Sequence, residues 1–365
     1  MLQSSFGIAL MTGPVESSVS AGSNNHADTE RKRRPVFVVG CHRSGTNLLY
    51  DTLLSAGGFT LYHGYLPIYE ILLPRFGSLG NPRNRERLVD TWMQSKGFRR
   101  AGLEPGSISS RLLAECRNGG DFIRIVMDEM AQGQSAQRWA LYDPDSVLNM
   151  PQIKKELPDS LFVHIIRDGR DIALSLMKMG GYRPFPWRRQ QRGLLETALY
   201  WDWTVHKGRQ SGLRMSRDYI EVHYEALVTQ PQAVLARLGD FLDHDLDYNR
   251  IQKNGLGRLR ESNSSFRGDE RETQNPVNRW KEKLSHAEVI ALEALIGQSL
   301  EQFGYALTVD PRDRRIGLPW KCVASLYPSF LTTKRWLKLS TPVGRFADLS
   351  ALELEDAASD SHLAR

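Results

Sequence analysis

The sequence predicts an α/β protein with buried parallel strands, on three observations. Val36–Val39 is a short β-branched run of the kind covered on both faces in a parallel sheet, and a small-residue loop and a helical stripe follow it at once. Leu161–Ile166 is a second such run, again leading straight into a helical segment. The 365 residues, 41% hydrophobic and 25% charged, suffice for one large α/β domain with additions.

Pro35 introduces the first strand. Gly40 to Thr46 form the loop, and Leu48, Leu49, Leu53 and Ala56 make a helical stripe that Gly57-Gly58 ends. A strand, a glycine turn and a helix start make an anion site, because unpaired backbone N–H groups and the helix dipole both point at the loop. Gly40 and Gly45 keep the glycine spacing of a Walker A loop, but Thr46 stands where that loop has its Lys. In a nucleoside triphosphatase that Lys reaches the β- and γ-phosphates, so its absence argues against ATP or GTP as donor. Arg43 puts a permanent charge in the loop instead, and Ser44, Thr46 and Asn47 add side-chain donors.

The segment from Phe59 to Pro74 is aromatic, broken by Pro67, and suits the wall of a substrate cleft. Residues 82–132 read as helical, with Phe122, Ile123, Val126, Met127 and Met130 on one face. Arg138–Leu141 is a short strand ending at Tyr142-Asp143-Pro144, and Lys154–Leu157 closes a helix before the Pro158-Asp159 turn. Arg167 then leaves the carboxyl end of the Leu161–Ile166 strand, where ligands bind in open α/β sheets. Ser175 lies eight residues on, one turn into a helix carrying Ile172, Leu176 and Met179. Arg183, Arg188, Arg189 and Arg192 with Trp187 form a basic stretch, either solvated or set over an anionic acceptor. Leu194–Lys207 is a Trp-rich helix, Tyr219–Tyr224 an alternating strand and Pro231–Leu242 an amphipathic helix. Residues 258–278 are polar and include Ser262–Phe266, after which Ser285 and Glu288 form a capping box for a last helix running to Gly304.

The net charge of +6 and pI near 9.2 favour an anionic ligand weakly. Cys41, Cys116 and Cys322 are far apart and odd in number, which indicates neither a disulfide framework nor a zinc site and fits a reducing, cytoplasmic setting. Residues 1–34 read as a disordered leader, 35–310 as the domain and 311–365 as a C-terminal extension. Arg31-Lys32-Arg33-Arg34 reads as a solvated charge run rather than a nucleic-acid contact. No stretch approaches the ~20 apolar residues of a membrane span. Leu318–Leu339 mixes Trp320, Tyr327, Phe330 and Trp336 with Lys and Arg, which suits docking on the body, a peripheral membrane contact or another subunit.

The Arg43-Ser-Gly-Thr loop after a buried strand resembles the 5′-phosphosulfate loop of sulfotransferases that use 3′-phosphoadenosine-5′-phosphosulfate (PAPS). Arg167 with Ser175 resembles their 3′-phosphate motif, and the two stand in the family's order. The resemblance runs from Pro35 to Tyr305. It implies a P-loop NTPase-like three-layer fold, a central parallel β-sheet flanked by helices. It also implies transfer of a sulfuryl group from PAPS to an acceptor hydroxyl or amine, leaving adenosine-3′,5′-bisphosphate, with no metal. Carried onto this chain, Arg43, Ser44, Gly45, Thr46 and Asn47 hold the 5′-phosphosulfate, Arg167 and Ser175 the 3′-phosphate, and Arg279, just before Trp280, returns to the nucleotide. Relatives that use a Glu base carry it shortly after the first helix; the matching place here is His63-Gly64, with Glu70 seven residues further. A free imidazole titrates at about 6.5, so His63 suits the role without special tuning. Many relatives have a Lys where Tyr142 stands, which leaves Arg43 and His42 to supply the positive charge. Two alternatives remain: a P-loop kinase-like phosphotransferase with Asp143 as its metal acid, and a non-catalytic nucleotide-binding relative. Carbohydrate, glycolipid, peptide tyrosine and small phenol or alcohol are all open as acceptor.

Overall fold

A computed structural model describes residues 31–179, 192–254 and 277–354. The expectations for the leader over residues 1–30, for Arg183, Trp187, Arg188 and Arg189, for Ser262–Phe266 and for the tail past residue 354 lie outside the described residues.

Four strands form one parallel sheet in the order β2-β1-β3-β4: β1 (Val36–Val39), β2 (Ala140–Tyr142), β3 (Leu161–Ile166) and β4 (Tyr219–His223). Every residue of β1 and β3 is buried, as their unbroken apolar runs require. Val39 pairs with His164, so β3 continues two residues beyond β1 before releasing Arg167 at the same edge as the Gly40 loop. The chain leaves β1 for β2 on one side and comes back to β3 on the other. The reversal opens a crevice between β1 and β3 at their carboxyl ends, the place where ligands bind in open α/β sheets.

The described residues include nine helices of ten residues or more: α1 (Thr46–Ser55), α2 (Pro82–Met93), α3 (Pro105–Glu115), α4 (Gly119–Gly133), α5 (Gly169–Lys178), α6 (Leu194–Leu213), α7 (Pro231–Leu242), α8 (His286–Gln302) and α9 (Leu318–Ser340). Strand side chains alternate between two helical layers. Phe37, Val39, Leu141 and Phe162 pack with the helices between residues 68 and 157. Val36, Val38, Ala140, Val163 and Ile165 pack with α1 and α7. The fold is thus the three-layer P-loop-like arrangement, and a third apolar cluster joins α5, α6, α8 and α9 beyond the strand ends.

Three boundaries differ from the sequence expectation. The second strand is Ala140–Tyr142, not Arg138–Leu141, because the Arg138 backbone pairs with Gly58 O and Thr60 N instead of with β1, while its buried guanidinium donates to the carbonyls of Arg34 and Leu242. Burial pushes that guanidinium down to about 10. The Trp-rich helix runs on to Leu213, and Tyr224 opens a short helix instead of ending β4. Ser175 also lies deeper than one turn, since α5 begins at Gly169.

Candidate active site

Two glycines let the loop after β1 lie against its neighbours. A Cβ on Gly40 would come 2.5 Å from the Ile165 carbonyl oxygen, so only glycine can leave β1 this close to β3. Gly45 has φ 99°, and a Cβ there would meet the Tyr224 ring at 2.4 Å. Gly45 is also the N-cap of α1 and brings no side-chain acceptor, so no side chain covers the positive end of that helix from within the cap. Ser44 spends its single O–H proton on Cys41 O and so shapes the turn. Thr46 is buried at the helix start and Asn47 is exposed.

The crevice gathers positive charge. Arg43, at φ 72°, donates from Nε to Ser175 Oγ at 3.0 Å on α5. Arg167 Nη1 donates to Arg43 O at 3.2 Å, and its guanidinium lies 4.3 Å over the Tyr224 ring and 3.7 Å from Asp171. Burial, then the charges of Arg167 and Arg279, lower the proton affinity of Arg43. Three guanidiniums therefore share one neighbourhood with Ser175, an arrangement that a polyanion relieves.

Arg279 arrives there through α5. The Asp171 carboxylate accepts the backbone N–H groups of Asn278 at 3.1 Å and Trp280 at 2.9 Å, the residues on either side of Arg279. Beneath them Arg170 stacks 3.8 Å over the Trp280 ring and pairs with Asp168 at 2.8 Å and Glu293 at 2.7 Å. The run Arg167-Asp-Gly-Arg-Asp171 divides its labour: Arg167 faces the crevice, while Asp168, Arg170 and Asp171 build the scaffold around it.

A different chemistry lines the β2 side. His42, in the loop itself, lies with Nε2 3.0 Å from Asp145 Oδ1. Desolvation opposes its imidazolium, but Asp145, helped by Asp143 and Glu70, outweighs it and raises the group above its usual value. Asp143 accepts from Asp145 N and from the Ser146 hydroxyl, and burial, then Asp145 and Glu70, push it up to about 7. The sequence reading missed this cluster as a unit. Its signal was the Asp143-Pro-Asp145 run, which follows a strand paired directly with the strand that carries the loop.

The two residues expected as general base stand apart from each other. The His63 side chain is 56% exposed, with Nδ1 4.0 Å from Asp51 Oδ1 and its ring edge-on to Tyr50 at 6.4 Å. Tyr50 in turn packs 4.7 Å from Tyr142, so His63 and Tyr142 both pack on Tyr50. Glu70 is buried in a π-helical turn (Ile68–Leu72) and pairs with Arg335, with Lys338 at 3.6 Å and with Asn149 Nδ2 at 2.8 Å. It is tied to α9 rather than open to an acceptor.

Comparison with known proteins points one way. The family model described as the sulfotransferase family matches residues 35–248. A Caenorhabditis briggsae protein named as a candidate protein-tyrosine sulfotransferase is 25% identical over 219 residues, covering 57% of this chain; the match spans 65% of that relative's length, less than two thirds. Among solved structures, the sulfotransferase domain of the Synechococcus PCC 7002 olefin synthase is 18% identical over 76% of this chain and 96% of its own, with TM-score 0.46. Mouse sulfotransferase SULT7A1 complexed with PAP is 13% identical over 82% and 89%, with TM-score 0.40. The match over residues 35–248 takes in β1 with its loop, the Arg167 motif and all four strands, and the chain belongs to the sulfotransferase family.

Proposed function

We propose that the protein moves a sulfuryl group from PAPS to a hydroxyl of an acceptor. The observation that carries this reading is the convergence of Arg43, Arg167, Arg279 and Ser175 at the β1/β3 crevice, beside the uncapped start of α1. Two anionic ends need two such groups of donors. The first-turn N–H groups of α1 with Thr46 serve the 5′ end, and Arg167, Ser175 and Arg43 serve the 3′-phosphate. That second group selects PAPS over ordinary adenine nucleotides.

The chemistry asked of the protein is in-line positioning and stabilisation of charge on the leaving phosphate oxygen. His42, whose imidazolium form Asp145 favours, supplies the cation that Tyr142 cannot. His63, half-exposed beside Asp51 and the Tyr50–Tyr142 pair, takes the acceptor proton. Glu70 anchors α9 and takes no proton from the acceptor. Incubation with PAPS carrying radioactive sulfur and a panel of a tyrosine peptide, an oligosaccharide and a simple phenol tests this. Label in at least one acceptor, undiminished by a metal chelator, is expected. Transfer of phosphate from ATP with magnesium, and none of sulfate from PAPS, would replace the reading with that of a kinase.

A further inference from the structure

The C-terminal helix has two working faces, and only one of them is used by the body of the protein. On the inner face Tyr327 and Leu331 are buried against the α6 cluster, Trp203 Nε1 donates to Thr332 Oγ1 at 3.1 Å, and Arg335 pairs with Glu70. These contacts fix the rotation of α9. The outer face is therefore committed to solvent with its apolar residues in place. Leu318 and Trp336, five turns apart on one line, are 73% and 56% exposed, and Leu326 is 67% exposed.

The turn after α9 (Pro342–Phe346) extends this surface with Val343 and with Phe346, which is 84% exposed. Its backbone does not hang loose. Gly344 is buried so closely that a Cβ would meet Pro74 O at 2.8 Å, and Arg75 donates to Arg345 O. Of the ten large apolar side chains exposed among the described residues, eight lie between Leu318 and Phe346. Such concentration is what marks an interaction surface.

Charge identifies the partner. From Arg314 to Ala347 the chain carries seven Lys or Arg and no Asp or Glu; Arg335 and Lys338 face Glu70, while Arg315, Lys321 and Arg345 are exposed. A second copy docked on the same face through a twofold axis would set this basic surface against itself. An anionic lipid surface instead complements it, with Lys321 and Arg345, both exposed, at the level of phosphate headgroups and the apolar side chains inserted beside them. No helix among the described residues is long and apolar enough to cross a membrane, so α9 would lie in the plane of the surface. We infer that the outer face of residues 314–347 docks the protein on anionic membranes.

Co-sedimentation of the full chain with vesicles tests this, comparing phosphatidylcholine alone with phosphatidylcholine carrying ~30% phosphatidylserine. Partitioning at least ~10-fold stronger onto the anionic vesicles, weakened in ~0.5 M salt, is the expected result. Phe346→Ser and Lys321→Glu should each lower it several-fold with an unchanged melting temperature, since both side chains are exposed. Equal partitioning onto neutral and anionic vesicles, or none onto either, would overturn the inference. So would a dimer by light scattering that Phe346→Ser dissolves, because the face would then be covered by a second copy.

Discussion

The two sides of the crevice are built from opposite charges. On the β3 side, Arg43, Arg167 and Arg279 crowd around Ser175, and Asp171 meets Arg167 while holding the segment that delivers Arg279. On the β2 side, burial, Asp145 and Glu70 raise the proton affinity of Asp143, while His42, Lys338 and Arg335 outweigh burial and hold Asp145 below its usual value. The first arrangement suits a bound polyanion that supplies the missing negative charge. The second suits proton traffic and a neutral acceptor. The boundary between them is the loop itself, where adjacent residues His42 and Arg43 turn to opposite sides.

The largest effect that would sharpen this contrast is on turnover. His63→Ala should lower kcat by at least ~100-fold, the usual contribution of a positioned base, with affinity for adenosine-3′,5′-bisphosphate intact. A variant within ~10-fold of wild type would remove His63 from the base role. Next, Arg167→Ala should weaken bisphosphate binding by ~30-fold or more, as loss of a charge-assisted phosphate contact does, and Arg43→Ala should resemble it because Arg43 bonds Ser175. If Arg43→Ala changes kcat alone, its guanidinium serves the sulfuryl end and the division drawn at the loop is misplaced.

On the β2 side, kcat should fall as pH rises through the elevated titration of His42, since its charge is present below that value and lost above it. Asp145→Asn should move this alkaline limb to lower pH. A pH–rate profile in which the limb stays put would separate His42 from the chemistry. The smallest effect on turnover is expected from Glu70→Gln: kcat within ~3-fold of wild type, but stability lower by roughly 1–3 kcal/mol, because a buried ion pair is lost. A folded but inactive Glu70 variant would return the base to that residue.

The β3 side was largely legible in the sequence because it is contiguous. A strand, a loop and a helix start follow one another in the chain, and Arg167 and Ser175 sit at fixed spacing on a single strand–helix unit. The fold followed for the same reason, since the buried runs at Val36–Val39 and Leu161–Ile166 have few alternatives. The β2 side depends on pairs distant in sequence: His42 with Asp145, 103 residues apart, and Arg335 with Glu70, 265 apart. No periodicity records such pairs. Glu70 stood as a candidate base because the residue that neutralises it lies in the extension, and Arg138 looked like part of the second strand because its backbone partners, Gly58 and Thr60, lie far along the chain.

The central claim is that the crevice between β1 and β3 recognises a 3′-phosphate. Calorimetric titration with adenosine-3′,5′-bisphosphate and with AMP, on the wild-type protein and on Arg167→Ala, tests it most directly. The account predicts that the bisphosphate binds at least ~30-fold more tightly than AMP to the wild type, and that the gap closes in the variant because AMP lacks the group that Arg167 holds. Equal affinities for the two ligands in the wild-type protein, or a gap that survives in Arg167→Ala, would contradict it.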